Sequence, residues 1–420
     1  MVFKPATEER PIPKAVDLGT LKILHIIGTA DPRSGGPIEG LIRSSEALAK
    51  LGHFREIATL DHPDDPWVKD FPLPIFALGR IPIHERRRLD WLPWVHYGYT
   101  SGLVPWLKDH ARDYDVVIVN GLWNYSAGGA SRVLPRSGVP YFVFTHGMLD
   151  PWFRKEYPIK TAFKQVSWWL NEGPLLRNAN GVLFTCEEER LLARNAFWPY
   201  RVREFAVGYG TSDVAGHREA QVAAFREQLS ALGQRGFLLF LSRIHQKKGC
   251  DLLVDAFAEI ASSVPDLDLV MAGPDQSGWV SELKHRAEAA GIGHRIHWPG
   301  MLEGDQKWGA FHDCEAFVLP SHQENFGIVV AEALACGKPV LITDKVNIWR
   351  EIKEDGAGLV ASDDAAGILS LLSGYLALSP DQRQSMAEAG RQSFLKRFDI
   401  EQNAQTLLDV LRTGISHGRP

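Results

Sequence analysis

An α/β protein of two parallel-sheet domains is the fold this sequence predicts, and three observations carry it. Short apolar runs of roughly four to eight residues recur along the chain and stop at Gly, Pro or polar loops, as strands covered on both faces do. Longer amphipathic or polar stretches separate them and read as helices. The chain is also long enough, at 420 residues with 45% hydrophobic and 23% charged, to bury two cores.

Residues 21–28 (LKILHIIG) read as the first strand, and Gly35 and Gly36 ahead of Pro37 open a helix that runs to about residue 51. A glycine-rich strand-to-helix loop lets backbone approach a ligand and aims N–H groups at negative charge. Turn chemistry alone gives the same residues. Residues 115–120 (DVVIVN) and 141–145 (YFVFT) are further strands, the second ending in His146 and the string GMLDPW. Ligands of open α/β sheets sit beyond the carboxyl ends of strands, where His146 falls. Residues 181–185 form another strand, and the acids Glu187, Glu188 and Glu189 after it suit the positive end of a helix. Residues 205–211 leave the first domain, with a hinge near 208–218.

The second domain opens with the strand 237–242 and the loop Arg243-Ile244-His245-Gln246-Lys247-Lys248-Gly249. Cations on such a loop can neutralise a departing diphosphate. Lys247 is expected to be solvated. A helix over 250–261, a strand over 267–272 ending at Gly273, a helix over 279–290 and a strand and turn over 296–300 follow. The apolar run 316–319 then reads as a buried strand. After it come Glu324, Asn325, Phe326 and Gly327, and a helix beginning near Ile328 and stopped by Gly337 and Pro339. Glu324 lies just before that helix, whose free amides at 326–329 suit phosphate. Glu332 is a lone acid on an apolar helix and needs a partner, either a ligand hydroxyl or a protein donor. The plainer reading makes Glu324 a helix-start acid and Glu332 an internally paired one.

The block from Glu324 to Pro339, with its two acids eight positions apart and its Cys-Gly-Lys-Pro-Val end, resembles the signature of glycosyltransferase family 4, retaining enzymes of the GT-B fold. Likeness extends to 243–249 and to THGMLDPW, which is similar to a block of bacterial polysaccharide-assembly members; it is weakest at Gly35-Gly36. The resemblance implies two Rossmann-like domains facing across a cleft, residues 21–210 for the acceptor and 211–395 for the sugar nucleotide. A terminal helix within 396–420 would pack back on the first domain. It further implies Arg243 and Lys248 on the diphosphate, and Glu332 on the ribose hydroxyls. Glu324 with Asn325, Phe326, Gly327 and Ile328 would hold sugar and phosphate. His146 would lie beside the transferred sugar, Gly35 and Gly36 near the donor phosphates, and Gly273, Pro299 and Gly300 near the base. Asn325 stands where the family often has Gly, which leaves sugar preference open. The implied activity is hexosyl transfer from a UDP- or GDP-sugar to a lipid-linked glycan, with no cofactor and no metal. A sucrose-synthase-like or phosphorylase-like enzyme, or a noncatalytic sugar-nucleotide-binding assembly protein, remains open beside it.

A net charge of −5 argues against a nucleic acid partner. Cys186, Cys250, Cys314 and Cys336 show neither paired nor metal-site spacing and suit a reducing cytoplasm. No apolar run approaches the ~20 residues that span a bilayer, and the polar stretch 1–20 reads as an N-terminal arm without a signal core. Asp61, Asp64 and Asp65 look suited to a metal, but their Pro-rich setting reads as a surface loop. Arg86, Arg87 and Arg88 with Trp91, Trp94 and Trp106, and then Trp152, Phe153, Lys155, Lys160, Lys164, Trp168 and Trp169, combine cations with amphipathic aromatics. That combination suits peripheral contact with the inner face of a membrane.

Overall fold

The computed structural model describes residues 19–416, without Ser277 and without the side chains of Phe153 and Lys155. The expected arm lies, up to residue 18, outside the described residues. Two wholly parallel sheets organise the rest. Among the described residues the first has seven strands and the second six.

In the first sheet β1 (Lys22–Ile27), β4 (Val116–Asn120), β5 (Tyr141–Phe144) and β6 (Gly181–Phe184) fall where the apolar runs predict. Three further strands complete it: β2 (Phe54–Thr59), β3 (Ile75–Ala77) and β7 (Glu204–Ala206). β2 has the sequence FREIAT, whose charges mask a strand. Its Arg55 is nonetheless buried, and its guanidinium donates to Ser44 Oγ (2.6 Å) and the Leu41 carbonyl (3.3 Å) on the helix Gly36–Lys50. In the second sheet β8 (Gly236–Leu241), β9 (Leu267–Ala272), β10 (Ile296–Gly300) and β11 (Ala316–Leu319) match the expected runs, and β12 (Val340–Thr343) and β13 (Gly358–Ala361) complete it.

The first sheet runs β3-β2-β1-β4-β5-β6-β7 and the second β10-β9-β8-β11-β12-β13, so each reverses its strand order once, between β1 and β4 and between β8 and β11. Crossovers on either side of such a point lead to opposite faces, leaving a crevice at the strand ends. The chain passes between the sheets twice, and the two passages pair: Thr211 N donates to Phe398 O (3.0 Å) and Ile400 N to Thr211 O (3.2 Å). The final helix, Ile400–Ser416, then buries Ile400, Leu407, Leu408 and Leu411 with Leu21, Ile23 and Phe142 of the first sheet.

Candidate active site in the interdomain cleft

β5 ends in a turn that aims His146 into the cleft. His146 has φ +48°, a left-handed conformation few non-glycine residues adopt, and Gly147 follows at φ +76°. The turn is held by Glu189, which is buried rather than displayed at a helix start. Its carboxylate accepts from Thr145 Oγ1 (2.7 Å), Gly147 N (2.6 Å), Thr185 N (2.7 Å) and Thr185 Oγ1 (2.6 Å). The expectation that Glu187–Glu189 serve only the helix dipole is corrected for Glu189, because its side chain turns back into the sheet ends.

His146 stacks on Phe144 at 4.2 Å, and its Nε2 lies 3.1 Å from Asn120 Oδ1, while Asn120 Nδ2 lies 3.0 Å from His25 Nδ1. Desolvation drives the His146 imidazole down to about 3, so it is neutral at physiological pH. Because that value lies below the unfolded one, His146 contributes stability that is fully present above about 6.5 and is lost as pH falls towards about 3. His146→Gln is therefore expected to flatten part of the acid arm of the stability profile, and wild-type turnover to show no inflection from this residue between pH 5 and 8. Denaturation midpoints and kcat measured across pH check both.

From the second domain, the loop after β8 presents Arg243 exposed, bonded to Gln276 Oε1 at 3.2 Å. Lys248 is buried and pairs with Glu324, the acid after β11. The cation and carboxylate expected to meet different parts of one ligand thus meet each other here. Lys247 is half-buried, not fully solvated as expected: its Nζ sits 4.9 Å above the Trp152 ring of the first domain, and burial lowers its pKa. Gly273 has φ +138°, and a Cβ there would fall 1.7 Å from Ser242 O; its N–H donates to Gly300 O at 2.7 Å. Because β9 and β10 lie across β8 from β11, Gly273, Pro299 and Gly300 fall on the side of the Arg243 loop away from Glu324.

Gly327 (φ +74°) caps the helix Ile328–Ala335. Phe326 is buried against Tyr209 (5.4 Å) and Phe398 (5.8 Å), so its side chain packs at the hinge. The side chain of Asn325 crosses the cleft: Nδ2 donates to Thr185 Oγ1 (3.2 Å), and a Cβ on Gly147 would come within 2.5 Å of it. Glu332 is 1% exposed and accepts from Lys307 Nζ at 2.6 Å, with Arg43 Nη1 at 3.7 Å from the helix that Gly35 and Gly36 open. Its partner is therefore a protein donor for one oxygen, while Oε2 has none among the described residues. A buried carboxylate oxygen without a donor is costly, and a hydroxyl is a group that would satisfy it. Glu332→Ala is expected to weaken nucleotide affinity about tenfold or more, and unchanged affinity by calorimetry would leave Glu332 a structural partner of Lys307.

Sequence reasoning missed Arg43, Lys307 and Tyr209. Arg43 and Lys307 are ordinary helix cations in sequence. Tyr209 packs so closely that a Cβ at Gly40 would fall 1.6 Å from its hydroxyl. Asp61 and Asp65 are buried, not on a surface loop. Asp61 accepts from Thr29 Oγ1 and Ala30 N (both 2.6 Å), Asp65 from Ile83 N (2.7 Å), and Arg86 lies 3.5 Å and 3.6 Å from the two. Among the described residues, no three His, Cys, Asp or Glu gather in a way that holds a metal ion.

Two open sheets, each offering the end of its reversal point to one cleft, with cations on one wall and a neutral histidine on the other, suit a group-transfer enzyme. Residues 35–210 match the model described as a glycosyl transferase 4-like domain, and residues 221–393 that of glycosyl transferases group 1. The chain belongs to the family 4 type of glycosyltransferases and has the GT-B fold. It is 28% identical to D-inositol 3-phosphate glycosyltransferase of Segniliparus rotundus over 94% of this chain and 89% of that protein. It is 29% identical to the lipopolysaccharide core biosynthesis mannosyltransferase LpsB of Rhizobium meliloti, over 44% of this chain and 54% of that one. Among solved structures, sucrose-phosphate synthase of Thermosynechococcus elongatus superposes with TM-score 0.71 at 20% identity, covering 94% of this chain and all of that one. HepE of Anabaena, solved with UDP, gives TM-score 0.72 at 18% identity, covering 93% and 99%.

Proposed function

We propose that this glycosyltransferase moves a hexosyl group, with retention, from a UDP- or GDP-sugar to a lipid-linked glycan in polysaccharide or lipopolysaccharide assembly. The observation that carries the reading is the convergence of Arg243, Lys248 and Glu324 at the β8/β11 reversal, opposite the His146 turn. A bound diphosphate takes Lys248 from Glu324 and gains Arg243, so positive charge meets the leaving group as it departs. The freed Glu324 carboxylate accepts from sugar hydroxyls, and Glu332 Oε2 accepts from a ribose hydroxyl. His146, neutral, lies beside the sugar without adding charge. Closure across Asn325 and Gly147 excludes water that would hydrolyse the donor. The reading uses neither a metal nor an organic cofactor.

UDP bound to HepE and the lipopolysaccharide role in the name of LpsB support the donor and acceptor classes. Among the described residues no helix is long and apolar enough to cross a membrane. A protein working from the cytoplasm at the inner membrane face accords with that and with its exposed aromatics, Trp91, Trp94 and Trp169. The test is incubation with UDP- and GDP-hexoses and a lipid-linked oligosaccharide, with product configuration read by NMR. Transfer with the donor's anomeric configuration is expected; an inverted product, or no transfer from any donor, contradicts the reading.

One observation favours a second reading, in which the acceptor is a soluble phosphorylated polyol or sugar. A pocket of about 710 Å³ beside Gly28 and Thr29 is lined by Arg33, Arg86 and Arg87. The names of the inositol phosphate relative and of mannosylfructose-phosphate synthase carry such acceptors. Arg33 is engaged by Asp31 and Arg86 lies beside Asp61 and Asp65, which spends much of this charge and places the reading second.

A further inference from the structure

We propose that the helical segment following the His146 loop is an in-plane wedge that seats in an anionic lipid bilayer. The inference deepens the proposed lipid-linked acceptor, although it stands on separate side chains. The helix Pro158–Ser167 continues directly through the turn Trp168–Glu172. Ile159, Phe163, Val166 and Leu170 succeed one another at spacings of four, three and four, which is one helical face. A helix ordinarily buries that face. Here the four are 75%, 74%, 48% and 71% exposed.

The segment is nevertheless anchored. Trp168 is buried against Phe197 (5.3 Å), and its Nε1 donates to Pro199 O at 3.0 Å. Gln165 Nε2 and Trp169 Nε1 both donate to Trp198 O, at 2.6 and 2.8 Å. Those bonds hold Trp198, itself 74% exposed, beside the stripe. The result is a fixed apolar ridge with two indoles, of the kind soluble monomers rarely leave in water.

Charge selects the occupant. Residues 154–164 carry Arg154, Lys155, Lys160 and Lys164 in sequence against the single acid Glu156, within a chain of net charge −5; Arg154 and Lys160 are exposed, while Lys164 lies half-buried over the Trp123 ring at 4.9 Å. Arg154 and Arg201 also line the groove below Trp198. A second copy docked on the stripe about a two-fold axis would set this basic rim against itself. An anionic bilayer supplies both an apolar bed and counter-charge, with long cationic side chains reaching the headgroups. The wedge also adjoins the cleft, because Trp152, at the start of this region, lies under Lys247 of the donor-side loop.

The test is co-sedimentation of the full chain with vesicles of phosphatidylcholine alone and of phosphatidylcholine with phosphatidylglycerol, compared with a Phe163→Asp, Leu170→Asp double variant. Wild type is expected to bind the anionic vesicles, less so as salt rises, and the variant to lose about tenfold or more of that affinity. Both substituted side chains are exposed, so unchanged nucleoside diphosphate binding and unchanged transfer to a detergent-dispersed acceptor verify an intact enzyme. Failure of donor binding would strike the proposed function and leave the vesicle result standing. Absence of wild-type vesicle binding, or equal binding by the variant, overturns the wedge. Wild-type self-association that the variant abolishes, without vesicle binding, would assign the stripe to a second copy and also overturn it.

Discussion

Replacing Arg243 by alanine is expected to lower kcat/KM by about 10²–10³, the usual cost of removing a preorganised electrostatic partner of developing charge. The unfolding midpoint is expected to stay in place. Arg243 is exposed and holds one neutral bond, to Gln276, so the folded chain loses almost nothing with it. Lys248→Ala should behave differently, because Lys248 is buried and balances Glu324. It should reduce turnover comparably and also cost stability, since a partly buried carboxylate is left without its cation. Wild-type rates for both Arg243→Ala and Lys248→Ala would remove the diphosphate role from this loop.

Glu189→Ala should have the largest effect on folding. Four donors from the ends of β5 and β6 converge on that carboxylate. Each buried donor left unpaired costs roughly 1–3 kcal/mol. After local relaxation a total of about 3–5 kcal/mol is expected, in line with removing one side of a buried charged network. The same change frees the turn that holds His146 at φ +48°, so turnover should fall even where the protein remains folded. Glu189→Gln retains an acceptor oxygen and should recover part of both. Chemical denaturation followed beside kcat separates the two effects, and an unaltered midpoint in Glu189→Ala would refute the organising role.

Most strands buried on both faces were legible in this chain, although β12 (VLIT), equally apolar and buried, was not picked out behind the helix stop at Gly337 and Pro339. β8, β9 and β11 are nearly continuous aliphatic and aromatic runs, and their positions follow from that alone. β2 was hidden because Arg55 and Glu56 interrupt it. A buried guanidinium is tolerated there only because the neighbouring helix turns carbonyl and hydroxyl oxygens towards it. β3 and β7 are three residues each, too short for periodicity to register.

The site followed the same division. Glu324 and Glu332 could be picked out because an acid at a helix start and another on an apolar helix are locally anomalous, whereas Arg243, Lys248 and His146 drew their roles from the resemblance to the family. What each side chain touches is a long-range property. Glu332 meets Lys307, Lys248 meets Glu324, and Asn325 reaches Thr185 in the other domain. The aromatic and basic stretch shows the limit most plainly. Trp168 and Trp169 are adjacent and identical in composition, yet one is the anchor of its helix and the other is half in solvent. Arg86, grouped in sequence with a membrane-facing cluster, lies instead against two buried aspartates.

The central claim is that the cleft between the β8/β11 and β1/β4 ends binds a nucleoside-diphosphate sugar through Arg243. Calorimetric titration of UDP, GDP and ADP, each with its common sugars, into wild type and Arg243→Ala tests it most directly. Selective binding of one nucleotide by wild type, weakened at least about tenfold in the variant, is the expected result. Equal binding by both proteins, or no binding of any nucleotide by wild type, would contradict it.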